Sequence, residues 1–417
     1  MEQIKIERIE AREIINGRGI PTVEATVFCS GGLAARAAAP SGISVSDHEA
    51  VDRKDGGFRY MGKGVLEAVR NVEELISPAL RGVSVSDQET IDRKMIELDG
   101  TKNKSRLGGN AMIAVSVAAA RAGAASKGLP LYAYLTKEET GEIPIVCPNL
   151  ISGSRTAGNH LDFEDFLVVP YDFDTFAESI RAVVETFHIL YRRMCEKYGL
   201  VGQITALAPP ASRNEEVFDC LLQSIAEAGY EGRIGLAIDV AAGLIYDRKK
   251  QCYKMETGEV DRKGMIQYYQ KLCSHYPLIF IEDGLEEDDY AGFAQMTKEI
   301  PALIVGDDLF ATSQSRLLAG YEKNAGNGII IKANQAGTIT ETMETARLAK
   351  KLGYTVIAST RSGETADDFQ ADLAVAAGAR FMKTGCPFRG EMVTKWNRMM
   401  EIEKQLGEKS LFGGKHV

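Results

Sequence analysis

Six apolar runs in the C-terminal half of the chain each end at a polar group. In order, these groups are Asp239, Glu282, Asp307, Lys332, Thr360 with Arg361, and Lys383. They follow one another at intervals of roughly 23 to 43 residues. One strand and its returning helix take about that length, since a (β/α)8 barrel uses roughly 250 residues for eight units. Because continuous Val, Ile and Leu runs are typical of strands buried on both faces, the pattern predicts an α/β barrel with these groups at its mouth.

The first third of the chain has a different pattern. Strand-like segments in the first 35 or so residues, separated by the turn INGRGIP, predict a β-meander. Three helical stretches follow, and the last, at 110–128, is Ala-rich and apolar on nearly all sides, as expected of a buried helix. A polar segment near residues 137–143 marks the expected boundary. We therefore expect an α+β domain at 1–138 and a barrel domain at 144–417.

Composition and charge restrict the classes of function. A chain of 417 residues with 45% hydrophobic and 26% charged residues fits a soluble enzyme of two domains. A net charge of −9 argues against a nucleic-acid partner, because phosphate binding needs a basic surface. Seven cysteines without a CxxC pair predict reduced thiols in a cytoplasmic protein, and no run approaches the length of a membrane span.

The polar groups at the strand ends suit proton abstraction beside a carboxylate. Asp239, Glu282 and Asp307 offer the oxygen ligands that Mg2+ prefers. Lys332 can act as a base, because burial and nearby positive charge lower the pKa of a lysine. Lys383 can hold the substrate carboxylate or the negative charge that develops on it. Each group taken singly could be a solvated strand end or a barrel salt bridge, but the ordered set favours a Mg2+ site that stabilises an enediolate.

Longer motifs resemble the enolase (phosphopyruvate hydratase) family over essentially the whole chain. The N-terminal part contains RGIPTVE, PSGIS, GKGVLEAVRNV and LGGNA, and the barrel part contains FIEDGLEEDD, GDDLFATS, IKANQAGTITET, RSGET and KTGCP. The resemblance implies an α+β lid domain followed by an enolase-type barrel whose first units are atypical. It also implies Mg2+, a small phosphorylated carboxylate substrate, and a homo-oligomer that is a dimer or a multiple of dimers. The pairing of a lysine base with Mg2+ is a described pattern of this superfamily.

The resemblance assigns roles residue by residue. The matches are Asp239, Glu282 and Asp307 for one Mg2+, Ser44 for closure over a second, Lys332 for the general base, Lys383 for the substrate carboxylate, and Arg361 and Ser362 for the phosphate. The loop around Ser44 has fewer small residues than the family pattern, which predicts a stiffer or differently closing lid.

The substrate side departs from the family pattern. Thr156 and Thr360 stand where the family has histidines, and Glu164 and Asp165 stand where it has Gln and Glu. We expect these four residues to face the substrate. The family's general-acid loop is replaced by residues 202–206, with Ile204 at the position of the acid.

The identity of the general acid is therefore open. No Asp or Glu occurs between Lys197 and Arg213, so no shifted neighbour replaces the missing group. Asp165 is the best remaining candidate, followed by Glu164 and Asp162, although Asp165 could merely cap a strand or orient Lys332.

Three functions remain compatible with this sequence. The first is a variant dehydratase that eliminates water from 2-phosphoglycerate or a close analogue. The second is an enzyme with the same proton abstraction but a modified phosphoryl or phosphonyl carboxylate substrate, like the carboxyphosphonoenolpyruvate synthases. The third is a non-catalytic binding protein. The third is disfavoured, because the metal-ligand and lysine positions are intact while the changes are confined to the substrate side.

Overall fold

A closed barrel and a smaller α+β unit make up the chain. The computed structural model describes residues 3–42, 46–136 and 141–413, apart from the side chains at 155 and 156. Within these ranges, no helix is both long and apolar enough to cross a bilayer.

The N-terminal unit is an antiparallel three-stranded sheet covered by helices, as the meander and helix patterns predict. Its elements are β1 (Ile6–Ile15), β2 (Pro21–Cys29), β3 (Ala34–Ala38), α1 (Leu66–Arg70), α2 (Ser77–Leu80), α3 (Gln88–Asp99), α4 (Gly109–Ser126) and α5 (Leu131–Leu135). A π-helical segment, Asn71–Ile76, joins α1 to α2. The Ala-rich helix α4 is buried along nearly its whole length against β2 and β3, which confirms that its uniform apolarity marks a core helix.

The C-terminal part contains the remaining strands and helices. The strands are β4 (Glu142–Ile143), β5 (Ile145–Ser152), β6 (Asp165–Pro170), β7 (Gly202–Gln203), β8 (Leu207–Ala208), β9 (Ile234–Asp239), β10 (Tyr246–Asp247), β11 (Cys252–Met255), β12 (Gly258–Val260), β13 (Leu278–Glu282), β14 (Leu303–Gly306), β15 (Gly328–Ile331), β16 (Thr355–Ser359), β17 (Phe381–Thr384) and β18 (Leu411–Phe412). The helices are α6 (Ser154–Ala157), α7 (Phe176–Tyr198), α8 (Asn214–Glu227), α9 (Arg262–His275), α10 (Tyr290–Glu299), α11 (Gln314–Glu322), α12 (Ala333–Ala336), α13 (Ile339–Lys351), α14 (Phe369–Ala376) and α15 (Gly390–Leu406).

The barrel closes through eight strands in the order β5-β6-β9-β13-β14-β15-β16-β17, with β17 pairing in parallel with β5. Strand β6 runs antiparallel to both of its neighbours, β5 and β9. The other barrel strands pair in parallel. The expected barrel with atypical first units is therefore confirmed, and the antiparallel β6 brings its N-terminal end to the mouth.

The barrel interior explains which side chains reach the mouth. A separate apolar cluster fills the interior and consists of Ile145, Cys147, Leu167, Val169, Ala237, Phe280, Val305, Ile330, Ile357 and Phe381. Side chains two positions apart point to the same face of a strand. A residue two positions beyond an interior residue, in the direction of the mouth, therefore also points inward and lies at the mouth. Lys332 stands two positions after Ile330, and Lys383 two positions after Phe381. In the antiparallel β6 the order is reversed, so Asp165 stands two positions before Leu167.

Ion pairs connect the two parts of the chain beside the mouth. Arg121 of α4 binds Asp367 through both terminal nitrogens, each at 2.8 Å, and also binds Asp368 at 2.6 Å. The backbone N–H of Ala38 donates to the same Asp367 carboxylate at 3.0 Å. These contacts fix the N-terminal sheet against the segment that follows Arg361.

A buried ion pair should contribute strongly to stability. Lys395 of α15 is 0% exposed and lies 3.1 Å from the Glu364 carboxylate, which is itself 1% exposed. Lys395→Met would leave that carboxylate buried without its cation, and we expect the free energy of unfolding to fall by about 3–5 kcal/mol in urea titrations. The matched control is Lys250→Met, because the pair of Lys250 with Glu259 is half exposed and screened by solvent, so its loss should leave the stability nearly unchanged. Equal small losses in both variants would contradict the structural role of Lys395.

Candidate active site

Buried carboxylates crowd the mouth of the barrel. Asp239, Glu282 and Asp283 each offer an oxygen within 4.8 Å of the others, and Asp283, Asp307 and Asp308 form a second such group. Asp239 and Glu282 therefore lie in one group and Asp307 in the other, and Asp283, which the sequence analysis missed, belongs to both. Asp283 accepts backbone hydrogen bonds from Asp307 at 3.0 Å and Asp308 at 2.9 Å, so it holds the end of β14 in place.

Lys383 lies among these carboxylates. Its Nζ donates to Asp239 at 2.5 Å and to Glu282 at 2.8 Å, and it lies 3.7 Å from Asp165. Burial lowers the pKa of Lys383, but the carboxylates of Asp239 and Glu282 raise it by more than burial lowers it. The net pKa of Lys383 therefore lies well above its usual value. The position of Lys383 confirms that the ends of β9, β13 and β17 converge on one point.

Lys332 is held by a second set of partners. Its Nζ pairs with Asp307, and its backbone N–H donates to Thr312 at 3.0 Å. Burial lowers the pKa of Lys332, but Asp307 opposes this effect, and the net pKa is raised above the ordinary value. In this arrangement the Asp307 carboxylate outweighs burial and the nearby cations Arg361 and Lys383. The lower pKa expected for a lysine beside a bound metal stays a prediction.

Gln335 connects the two groups that flank Lys332. Its Nε2 donates to Asp307 at 2.9 Å, and its Oε1 accepts from the Thr312 hydroxyl at 2.6 Å. Gln335 therefore fixes the orientation of Asp307. The motif IKANQ indicated a functional residue only at Lys332, where the strand ends, and gave no sign of a role for Gln335.

Arg361 reaches the mouth from the loop after β16. Its Nη1 binds Glu49 at 2.6 Å, and both side chains are at least 96% buried. Gly42 allows this approach, because a Cβ there would lie 1.7 Å from Arg361 Nη2. Backbone hydrogen bonds between Ser41 and Gly363 at 2.9 and 3.0 Å tie the same segments together. The N-terminal segment therefore supports Arg361, and the role of Glu49 was not foreseen.

Asp165 sits in a polar network on the opposite wall. Its Oδ1 accepts from Asn149 Nδ2 and from the Ser152 hydroxyl, the latter at 3.5 Å. The Ser152 hydroxyl lies 2.6 Å from that of Thr205, the residue after Ile204. Burial raises the pKa of Asp165 to about 6, with Lys383 opposing the shift. Asp165 is therefore more easily protonated than an ordinary aspartate, as an acid requires.

Ile204 does not replace the missing acid. Its side chain is 42% exposed, whereas Thr205 lines the cavity beside Asp165. The replaced loop thus presents the Thr205 hydroxyl to the site. In the sequence, the only sign of this was that Thr205 stands next to Ile204, at the position of the family's acid.

One cavity, the mouth cavity, brings most of the predicted residues together. Its walls include Glu164, Asp165, Asp239, Asp307, Lys332, Thr360, Arg361, Ser362 and Lys383. Glu282 is fully buried beneath it and binds Lys383. Asp162 is not part of this wall and instead binds the backbone of Glu256 and the side chain of Asn214. Ser44 and the side chain of Thr156 lie outside the described residues.

The carboxylate set fits a divalent cation. Glu282 Oε1 is buried and has no hydrogen-bond partner among the described residues, although Oε2 of the same group binds Lys383. An unsatisfied buried carboxylate oxygen is costly unless a cation or a donor meets it. Burial and the neighbouring Asp239 also raise the pKa of Glu282 well above its usual value. Oxygen donors of this kind suit Mg2+.

Comparisons with known proteins agree with this geometry. Residues 6–135 match the family described as Enolase, N-terminal domain, and residues 140–417 match Enolase, C-terminal TIM barrel domain. The enolase of Methanopyrus kandleri is 45% identical, with 98% of each chain covered. The enolase of Pyrococcus furiosus is 44% identical over 99% of this chain and 97% of its own, and that of Methanocaldococcus jannaschii is 43% identical over 97% and 96%.

The two family matches and the full-length relatives at 43–45% identity lead to one conclusion. The chain belongs to the enolase family and is a hydro-lyase of the phosphopyruvate hydratase type.

Proposed function

We propose that this enolase-family protein eliminates water from 2-phosphoglycerate or a close analogue by two proton transfers in the mouth cavity. The observation that carries the proposal is the convergence of Lys332 and Lys383 on buried carboxylates at the ends of parallel strands. Mg2+ bound to Asp239, Glu282 and Asp307 would stabilise the negative charge that develops on the substrate carboxylate. The match of Ser44 to a second Mg2+ stays a prediction.

Lys332 is the proposed base for the α-proton. Its Nζ lies in the wall of the mouth cavity, and Thr312 and Gln335 fix the segment that carries it. Lys332 must lose its own proton before it can accept the α-proton, and its pairing with Asp307 favours the protonated form, so this pairing must loosen. Proton abstraction by Lys332 thus depends on how the Asp307 carboxylate divides its charge between Lys332 and the proposed Mg2+.

The remaining polar residues hold the two ends of the substrate. Lys383 is proposed to bind the substrate carboxylate, and Arg361 with Ser362 to bind the phosphate. Arg361 keeps its planar group oriented through Glu49, so the phosphate end would meet a pre-positioned cation. Thr360, Thr156 and Glu164 are proposed to contact the substrate between these ends.

Asp165 is the proposed general acid for the leaving hydroxyl. It lies 3.7 Å from Lys383, on the wall opposite Lys332's strand, and the Asn149 and Ser152 side chains hold its carboxyl group. The carboxyl group is one methylene shorter than the family's Glu. We therefore expect proton donation to be slower than proton abstraction.

A second candidate function keeps the same proton abstraction with a modified phosphoryl or phosphonyl substrate, as in carboxyphosphonoenolpyruvate synthases. It is favoured by the hydroxyl groups that stand at the Thr360 and Thr205 positions of the substrate side. A non-catalytic role fits less well, because both lysines and the carboxylates remain assembled. We also propose a homo-oligomer built on a dimer, for which the exposed Phe58 and Met61 offer apolar surface. The proposed location is the cytoplasm.

Replacing the base should separate binding from chemistry. In Lys332→Ala we expect exchange of the substrate α-hydrogen with solvent deuterium to stop, since no other group takes the proton there. Proton NMR of 2-phosphoglycerate in D2O with saturating Mg2+ measures this exchange, and circular dichroism checks the fold. Lys351→Ala, at the exposed end of α13, is the matched control. Exchange at the wild-type rate in Lys332→Ala would assign the base to another group.

The altered acid side should make the two proton transfers unequal. We expect the wild-type protein to exchange the α-hydrogen at least about 10²-fold faster than it forms phosphoenolpyruvate, because the shorter Asp165 replaces the family's acid only in part and a lost general acid costs about 10²- to 10⁴-fold. Phosphoenolpyruvate absorbance is followed beside deuterium incorporation. Asp165→Asn should slow elimination further while exchange persists. Turnover by the wild type in the ordinary range of about 1–10³ s⁻¹ would show that the acid function is fully replaced.

A further inference from the structure

A second cavity, the side cavity, adjoins the mouth cavity on the side of the proposed leaving group. The two cavities share Asp165, Thr360, Ser362 and Lys383 as wall residues. Walls that belong only to the side cavity include Asn149, Ser152, Thr205, Thr384, Arg389 and Met392. A substituent on the substrate carbon that carries the leaving hydroxyl would extend into this space.

Arg389 is the charged group of the side cavity. The residue is only 7% exposed, and its Nη1 is buried with no hydrogen-bond partner among the described residues. Its Nη2 donates to the backbone oxygen of Ser362 at 3.2 Å and pairs with Glu391. A buried guanidinium nitrogen without an acceptor is costly, so a ligand oxygen that reached Nη1 from the side cavity would satisfy it.

The N-terminus of a long helix meets the same wall. Helix α15 spans 17 residues, its N-cap is Arg389, and no side chain in the described part of the chain caps it. Met392, in its first turn, lines the cavity together with Arg389. The N–H groups and dipole of a helix N-terminus favour an anion, which adds to the charge of Arg389.

The surrounding charges leave a positive excess at this wall. Glu391 offsets the charge of Arg389, but Arg18 adds a second cation. Arg18 lies close enough to Arg389 that burial and the charge of Arg389 lower the pKa of Arg18. The hydroxyl groups of Ser152, Thr205 and Thr384 supply further neutral donors. The two carboxylates of the cavity, Glu164 and Asp165, lie on the wall shared with the mouth cavity.

We propose that the side cavity is a carboxylate subsite, formed by Arg389 and the N-terminus of α15, for a second carboxylate on C3 of the substrate. The inference rests on the proposed function and adds phosphorylated dicarboxylic hydroxy acids to its substrate class, as the close analogues of 2-phosphoglycerate. Lys332 takes the C2 proton, the C3–O bond breaks, and the hydroxyl leaves as water with a proton from Asp165. A C2=C3 double bond forms between the two carboxylates, and no oxidant or further reactant is needed.

The test compares three ligands on the wild-type protein in saturating Mg2+. They are 2-phosphoglycerate, both C3 epimers of 2-phosphotartrate, which carries a carboxylate on C3, and 2-phosphotetronate, which carries a neutral hydroxymethyl group there. We expect kcat/KM for α-hydrogen exchange to be at least about 10-fold higher for one 2-phosphotartrate epimer than for the other two compounds, the lower range for a hydrogen bond to a charged group. Calorimetric Kd values should show the same order.

A variant assigns the preference to Arg389. In Arg389→Gln we expect the ratio of kcat/KM for 2-phosphotartrate over 2-phosphoglycerate to fall about 10- to 100-fold. Arg347→Gln, at an exposed position of α13, should leave the ratio unchanged. If Arg389→Gln does not fold, the comparison of ligands on the wild-type protein still tests whether the side cavity prefers a carboxylate.

Two results would overturn the subsite. Exchange of 2-phosphoglycerate without any preference for 2-phosphotartrate would remove it while the proposed function stands. Equal preference for 2-phosphotetronate would show that the cavity recognises hydroxyl groups rather than charge. Exchange of none of the compounds would instead refute the proposed function, and the Kd ratio would then test the subsite alone.

Discussion

The concentration of negative charge at the barrel mouth is the constraint on which the rest of the site depends. Six carboxylates, those of Asp165, Asp239, Glu282, Asp283, Asp307 and Asp308, surround the ammonium groups of Lys332 and Lys383. Taking such charges out of water costs several kcal/mol per ion unless each is paired. Among the described residues, none donates to Glu282 Oε1. A divalent cation among these oxygens would offset the excess charge and release both lysines for a substrate.

Much of this arrangement could be predicted from the sequence, for a geometric reason. Buried parallel strands give continuous apolar runs, and the first polar residue after each run lies at the mouth. Lys332 and Lys383 were found in this way, and the alternation of strand side chains explains why they face inward. Asp283 could not be found by the same rule, because it follows Glu282 directly and turns into the cluster through a backbone with φ of 44°. Glu49 is distant in sequence from Arg361, and Arg389 from the Ser362 backbone to which it donates, so only the folded chain relates these residues.

The substrate side shows why a motif comparison alone is insufficient. The loss of the family acid at Ile204 indicated a defect in the second proton transfer, but not what replaced it. In the folded chain, Ile204 faces outward, while Thr205 and Ser152 form a hydroxyl pair beside Asp165. The changes therefore leave the proton-abstraction half of the site assembled and remodel the space around the leaving group. Altered specificity explains this separation better than decay, since decay would affect both halves.

The position of a bound cation tests the account most directly. Crystals grown with Mn2+, which accepts the same oxygen ligands as Mg2+, give an anomalous signal at the metal. The account predicts a peak bound by Asp239, Glu282 and Asp307, with Lys383 Nζ moved out of hydrogen-bond distance of Asp239 and Glu282. Absence of that peak would contradict it, as would a peak only at the exposed group of His48, Glu287 and Asp288 while Lys383 kept its present partners.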